Sequence, residues 1–130
     1  MAINDPIADL LTRIRNARNA RHRYVDLRLS KLKLQIIKVL QEQGYIDNFL
    51  VDEERGRARI FLKYGDGREP VIKGLKRISS PGLRRYIGYK QIPKIFGGMG
   101  VAILSTPSGI VDGETARRQR VGGELLCYVW

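Results

Sequence analysis

The stretch Gly100-Val101-Ala102-Ile103-Leu104-Ser105-Thr106-Pro107-Ser108-Gly109-Ile110-Val111 decides how the chain is read. Ser105, Thr106, Pro107 and Ser108 stand between two apolar, strand-like runs. Each of the three hydroxyls offers a short donor and acceptor at little entropic cost. No base, acid or metal ligand lies close in sequence, so the stretch reads as a hydrogen-bonding surface and not as an active site. On a chain of net charge +11, a hydroxyl-lined loop beside cations suits the sugars, phosphates and base edges of folded RNA.

Outward from this stretch the second half of the chain is mostly β. Residues 71–78 contain a strand interrupted by Gly74, and Ser79-Ser80-Pro81-Gly82 is a turn signal. Tyr86-Ile87 reads as a short strand, with a turn or short helix at 92–95. Asp112 is placed to cap a short helix carrying Glu114, Ala116, Arg117 and Arg118, which Gly122-Gly123 is expected to stop. Residues 125–130 then close the chain as an apolar strand.

The first half mixes helix and strand. Asp5 and Pro6 suit a helix start, and Ile7, Leu10, Leu11, Ile14 and Ala17 recur at helical spacing. Val25, Leu27 and Leu29 alternate with Asp26 and Arg28 as in a half-buried strand. Ser30 opens a second helix with Leu32, Ile36, Val39 and Leu40 inward, ended by Gly44. Residues 49–51 and 57–64 form a predicted hairpin around Glu53-Glu54-Arg55-Gly56. The fold class predicted is α+β: an α-β-α-β-β two-layer lobe over 1–67, then a β-rich lobe with a short helix over 68–130. The boundary is soft and lies near 66–80.

A chain of 130 residues with 43% hydrophobic content can bury a core, which argues against intrinsic disorder. Residues 1–67 hold 13 basic and 9 acidic groups, and residues 68–130 hold 11 and 4. The second lobe is therefore the stronger footprint for a polyanion. Cys127, the single cysteine, can form no disulfide or cysteine zinc site within the chain; its apolar neighbours predict a buried, inert thiol in a reducing compartment. His22, between Arg21 and Arg23, reads as a surface or phosphate-facing residue. No apolar run is long enough to span a bilayer, and the amino terminus resembles no signal or transit peptide.

Catalytic readings find little support, because a triad needs an orienting base and one histidine exists. No phosphate-binding glycine loop follows a strand. Asp52, Glu53 and Glu54 fall on an exposed turn, where solvation is a better reading than metal binding. Gly97-Gly98-Met99-Gly100 has the spacing of a KH-type nucleotide clamp, but a strand-like run follows where that clamp needs a helix. More telling are Arg84, Arg85, Tyr86, Tyr89, Lys90 and Lys94, where cations alternate with rings able to stack on a base or ribose. The competing reading buries Tyr86 and leaves the arginines solvated. Arg117, Arg118 and Arg120 form a second basic cluster, open to either a solvated or an RNA-contact role.

The chain resembles the universal small-subunit ribosomal protein eight family, in its bacterial form. The carriers are Asp5-Pro6-Ile7-Ala8-Asp9-Leu10-Leu11-Thr12-Arg13-Ile14-Arg15-Asn16, then Gly100 to Thr106 with Gly109-Ile110-Val111 and Ala116-Arg117, and the ending from Gly122 to Trp130. The resemblance covers the whole chain. It implies a non-catalytic, cytoplasmic constituent of the small ribosomal subunit, without metal or cofactor, that binds the central domain of 16S rRNA early in assembly. It also implies contacts with small-subunit proteins five and twelve, and autoregulation through a messenger mimic of the rRNA site. The RNA-binding residues implied are Ser105, Thr106, Pro107, Ser108, Gly123, Glu124, Tyr86, Arg84 and Arg85 in the second lobe, with Arg13 and Lys31 in the first. Neither a homo-oligomer nor a membrane is implied. Many relatives carry serine where this chain has Pro107. Proline brings neither hydroxyl nor N–H, so no bond from that position carries over, although its rigid ring could pre-order the loop. Glu124 is an odd acid in such a surface, and suits either a base amino group or an arginine.

Overall fold

A computed structural model describes residues 5–130; the targeting reading of the first four residues lies outside them. The chain packs as two compact units, Pro6–Lys73 and Gly74–Trp130 with Asp5. Both are α+β.

In the first unit, helix α1 spans Pro6–Asn19 and buries Ile7, Leu10, Leu11, Ile14 and Ala17, the predicted stripe. Strand β1, Tyr24–Arg28, is followed by helix α2, Lys31–Glu42. Ser30 caps α2 by accepting from the Lys33 N–H at 3.1 Å. Gly44, at φ 80°, turns the chain out of the helix, with the Tyr45 N–H reaching back to the Leu40 carbonyl at 2.9 Å. Strands β2, Ile46–Asp52, and β3, Arg57–Leu62, complete an antiparallel sheet of order β1-β3-β2. β2 begins earlier and β3 ends sooner than predicted. Helix α1 packs against β1 and α2, and α2 against β2, over Leu27, Ala58, Ile60 and Leu62.

The inner face of α2 differs from its prediction. Ile37 is buried in addition to Ile36, Val39 and Leu40, Leu32 is only half-buried, and Lys33 is 5% exposed. A buried ammonium must be paired. The Lys33 Nζ sits 2.8 Å from Asp9 Oδ2 on α1 and 3.3 Å from the Arg28 carbonyl at the end of β1. That hydrogen bond, opposed by partial burial and aided by the Lys33 and Arg13 charges, holds the Asp9 carboxyl below its ordinary value.

In the second unit, strands β4 (Leu75–Arg77), β5 (Tyr86–Ile87), β6 (Val101–Thr106), β7 (Gly109–Asp112) and β8 (Gly123–Val129) form one antiparallel sheet. Its order is β4-β8-β6-β7, with β5 also pairing β8. Helix α3, Gly113–Gln119, is capped as expected, with Asp112 accepting from the Thr115 N–H and hydroxyl at 3.1 and 2.6 Å. Ala102, Leu104 and Leu125 pack with Ala116 of α3 and with Ile92 and Ile95.

Two local expectations need correction. The helical turns lie at 89–91 and 95–98, flanking an extended Ile92. Ile92 and Ile95 are each drawn into the core, Ile92 between the two turns and Ile95 at the start of the second. Nor does glycine stop α3. Arg120, itself left-handed at φ 57°, forms the C-cap, and its N–H bonds the Ala116 and Arg117 carbonyls.

Cys127 is 0% exposed, and burial, little offset by the Arg77 charge, pushes its thiol up to about 12. A thiolate is the reactive form. Native protein at pH 8 is therefore expected to resist a thiol reagent until denaturant is added. Rapid labelling without unfolding would contradict the buried strand position.

Candidate nucleic-acid interface

At one end of the second unit's sheet, Tyr86 lies opposite Glu124, and Glu124 opposite Ser105. Facing residues on antiparallel strands share a side of the sheet. Leu104 and Leu125, their chain neighbours, pack into the core on the other side. An aromatic ring, a carboxylate and a hydroxyl are thus aligned in one row across β5, β8 and β6. Tyr86 is 73% exposed, which removes the reading that buries it. Tyr89 instead packs against the core.

The connection from β6 to β7 extends the row. Pro107 and Ser108 are exposed at its tip, between the paired residues Thr106 and Gly109. Ser108 keeps a negative φ and Gly109 takes 108°, the pattern of a tight turn that hands its positive φ to glycine. Proline's fixed φ fits the position that follows Thr106. The Thr106 hydroxyl closes the turn: it donates to the Gly109 carbonyl at 2.8 Å and accepts from the Ser108 N–H at 3.1 Å.

Gly122 and Gly123 let the three strands close up. A Cβ on Gly123 would lie 2.1 Å from the Ser105 carbonyl oxygen, and one on Gly122 would lie 2.3 Å from that of Ile87. Any side chain at Gly123 would push β8 off β6 beside the row.

Glu124 is fixed on one oxygen. Its Oε2 accepts from the Ser79 hydroxyl at 2.5 Å and from Arg84 Nη1 at 2.9 Å. Burial raises the Glu124 carboxyl, but the Ser79 and Arg84 hydrogen bonds and the Arg84 and Arg77 charges outweigh it, leaving the group below its ordinary value. Its contribution to stability is therefore complete at neutral pH and is lost as pH falls below the usual carboxylate range. Arg84 stands half-exposed beside it. The Arg85 side chain is exposed, with no ion pair among the described residues.

The structure brings together Arg84, Tyr86, Ser105, Thr106, Pro107, Ser108, Gly123 and Glu124; Arg85 adjoins Leu125 through its backbone, and its exposed side chain follows Arg84 in the chain. Arg13 and Lys31 belong to the first unit, where Arg13 is paired with Asp9 at 3.1 Å and Lys31 is exposed at the start of α2. In the second basic cluster, Arg117 is tied to Glu114 at 2.6 Å and to the Ile92 carbonyl at 2.7 Å, whereas Arg118 and Arg120 are exposed. The glycines at 97–100 lead from a helical turn straight into β6, which is not the helix-to-helix setting of a KH clamp. Asp52 accepts from the Arg55 N–H at 3.2 Å within its turn, and no group of three or more metal-ligating side chains forms among the described residues. Sequence reasoning missed Ser79, which is 0% exposed; it stood inside a turn signal, and nothing local marked its partners.

A family model described as Ribosomal protein S8 matches residues 5–130. The chain belongs to the ribosomal protein S8 family. Among its relatives, the small ribosomal subunit protein uS8 of Protochlamydia amoebophila is 54% identical over 133 residues. Those of Acidobacterium capsulatum and Acholeplasma laidlawii are 52% and 53% identical over 132 and 131 residues. In each case the whole of both chains is covered. Members of the S8 family are structural, non-enzymatic proteins of the small subunit, working in translation as part of the cytoplasmic ribosome, and rRNA binding is typical of them. No helix among the described residues is long and apolar enough to cross a membrane.

Thr106→Val, which keeps the shape and removes the hydroxyl, is expected to lower stability by about 1–2 kcal/mol, and Thr106→Ser to retain most of it. Equal urea midpoints for Val and wild type would show that the turn does not need the hydroxyl. Gly123→Ala is expected to cost about 1–3 kcal/mol through strand displacement; an unchanged midpoint would mean that the strands yield freely.

Proposed function

We propose that the second lobe binds the central domain of 16S rRNA directly and supports assembly of the small subunit. The observation that carries this reading is the row of Tyr86, Glu124 and Ser105, flanked by Arg84 and the Thr106–Gly109 turn, with the exposed Arg85 next in the chain. The mix suits a distorted RNA helix. Arginines neutralise phosphates, Tyr86 stacks on a base or ribose, and hydroxyls bond base edges and 2′-OH groups in the shallow minor groove. Ser105 and Ser108 are the hydroxyls best able to serve. The Thr106 hydroxyl keeps an acceptor lone pair while shaping the turn. Pro107 adds rigidity in place of a hydrogen bond. Arg13 and Lys31 supply phosphate contacts from the first lobe.

The same surface accepts a messenger segment folded like the rRNA site, which would let the protein limit its own synthesis. Small-subunit proteins five and twelve are its protein neighbours on the particle.

A footprint of purified protein on naked 16S rRNA tests this reading, with protection expected only within the central domain. Protection elsewhere, or none, would overturn it. The electrostatic part has its own measurement. Arg85→Ala is expected to reduce the slope of log affinity against log salt by about one. Arg84→Ala reduces it by less, because Glu124 already neutralises part of that charge. An unchanged slope for Arg85→Ala would mean that this side chain meets no phosphate.

A further inference from the structure

Ser79 is 0% exposed, and its hydroxyl both donates and accepts. It donates to Glu124 Oε2 at 2.5 Å and accepts from the Arg85 N–H at 3.1 Å. The chain is held on both sides of this contact. The Ser79 N–H bonds the Leu125 carbonyl at 3.1 Å, and the Leu125 N–H bonds the Arg85 carbonyl at 2.9 Å. Ser79 and Arg85 therefore sit side by side along the edge of β8, while residues 80–84 bulge away with the Ser80 and Leu83 backbones bonded across the turn.

Both hydrogen bonds to Glu124 fall on Oε2, and Oε1 takes none among the described residues. No buried side-chain oxygen or nitrogen lacks a partner among them, so Oε1 meets solvent. A neutral hydroxyl inside and a cation outside thus orient one carboxylate, with one oxygen anchored and the other open to solvent, on the residue that pairs with Tyr86 and Ser105.

We propose that Ser79 is a positioning residue for RNA recognition: it anchors Glu124 so that Oε1 stands in the interface as an acceptor-only point. Such a point takes an exocyclic amino group of adenine, cytosine or guanine and repels a phosphate oxygen. It therefore adds selectivity where the surrounding arginines supply sequence-independent attraction. Arg84, Arg77, Ser105 and Tyr86 are the other charged or polar groups around the carboxylate. None replaces Ser79, because of these only Arg84 hydrogen-bonds the carboxylate, and its side chain is half-exposed. The inference rests on the RNA interface proposed above.

The test is a double-variant cycle in the full chain with Ser79→Ala, Glu124→Gln and both together. Binding is measured to a transcript of the 16S central domain and, as a non-specific polyanion, to poly-U. Ser79→Ala is expected to weaken transcript binding about tenfold, consistent with loss of a charge-assisted hydrogen bond, and to leave poly-U binding unchanged. In the Glu124→Gln background it is expected to cost no further affinity, since Ser79 acts through that carboxylate. Ser79→Ala binding like wild type, or losses that multiply in the double variant, would overturn the proposal. Weak binding by the wild type would instead count against the RNA interface as such.

A second readout needs no RNA. The Glu124 carboxyl carbon, followed by NMR in the free protein, is expected to titrate at higher pH in Ser79→Ala than in wild type. Should Ser79→Ala not fold, Ser79→Cys takes its place, because a thiol is a weaker donor. A midpoint that stays where it is in wild type would overturn the anchoring role of Ser79.

Discussion

The second lobe depends on a steric constraint at two adjacent glycines. Backbone carbonyls of β6 and of Ile87 occupy the space that Cβ atoms on Gly123 and Gly122 would need. With no side chain there, β8 lies against strands on both sides at the point where Glu124 begins its row. The alignment of Tyr86, Glu124 and Ser105 follows from that close approach and from β-sheet alternation. So does the core, because the same alternation sends Leu104, Leu125 and Ile87 to the opposite face.

Charge is organised in two ways. Some cations brace the fold: Lys33 joins α1, α2 and β1 through Asp9 and the Arg28 carbonyl, Arg77 bonds Asp5 and the Leu126 carbonyl, and Arg117 bonds the Ile92 carbonyl. Others, such as Arg85, Arg118 and Arg120, remain exposed without ion pairs among the described residues. An excess of 24 basic over 13 acidic residues therefore overstates the charge free to meet a polyanion. Arg84 belongs to both groups, being held by Glu124 and half-exposed.

Local chemistry made much of this legible in the sequence. The α1 stripe, the Ser30 and Asp112 caps, the left-handed Gly44 and the hydroxyl turn each express a rule that spans a few residues. The features that escaped depend on distant partners. Lys33 looks like a surface residue until Asp9, on another helix, makes its burial tolerable. Gly122-Gly123 looks like a helix stop until Ile87 and Ser105 are seen to crowd it. Ser79 looks like turn composition until Glu124 and Arg85 are found around its hydroxyl. Tyr86 stands out in the sequence as a ring among cations, Pro107 and Ser108 as a polar turn between apolar runs, and all three are exposed. The partners of Glu124 are not legible, since Ser79 and Arg84 lie far from it along the chain.

In the proposed mode of binding, one end of one sheet is the RNA face. Backbone amide chemical-shift mapping of isotope-labelled protein, titrated with a 16S central-domain transcript, addresses it most directly. The largest changes are predicted at 84–87, 105–109 and 123–125, with little at 95–100 beyond the opposite end of β6. Changes centred on 95–100, with the Tyr86–Glu124–Ser105 row silent, would contradict it.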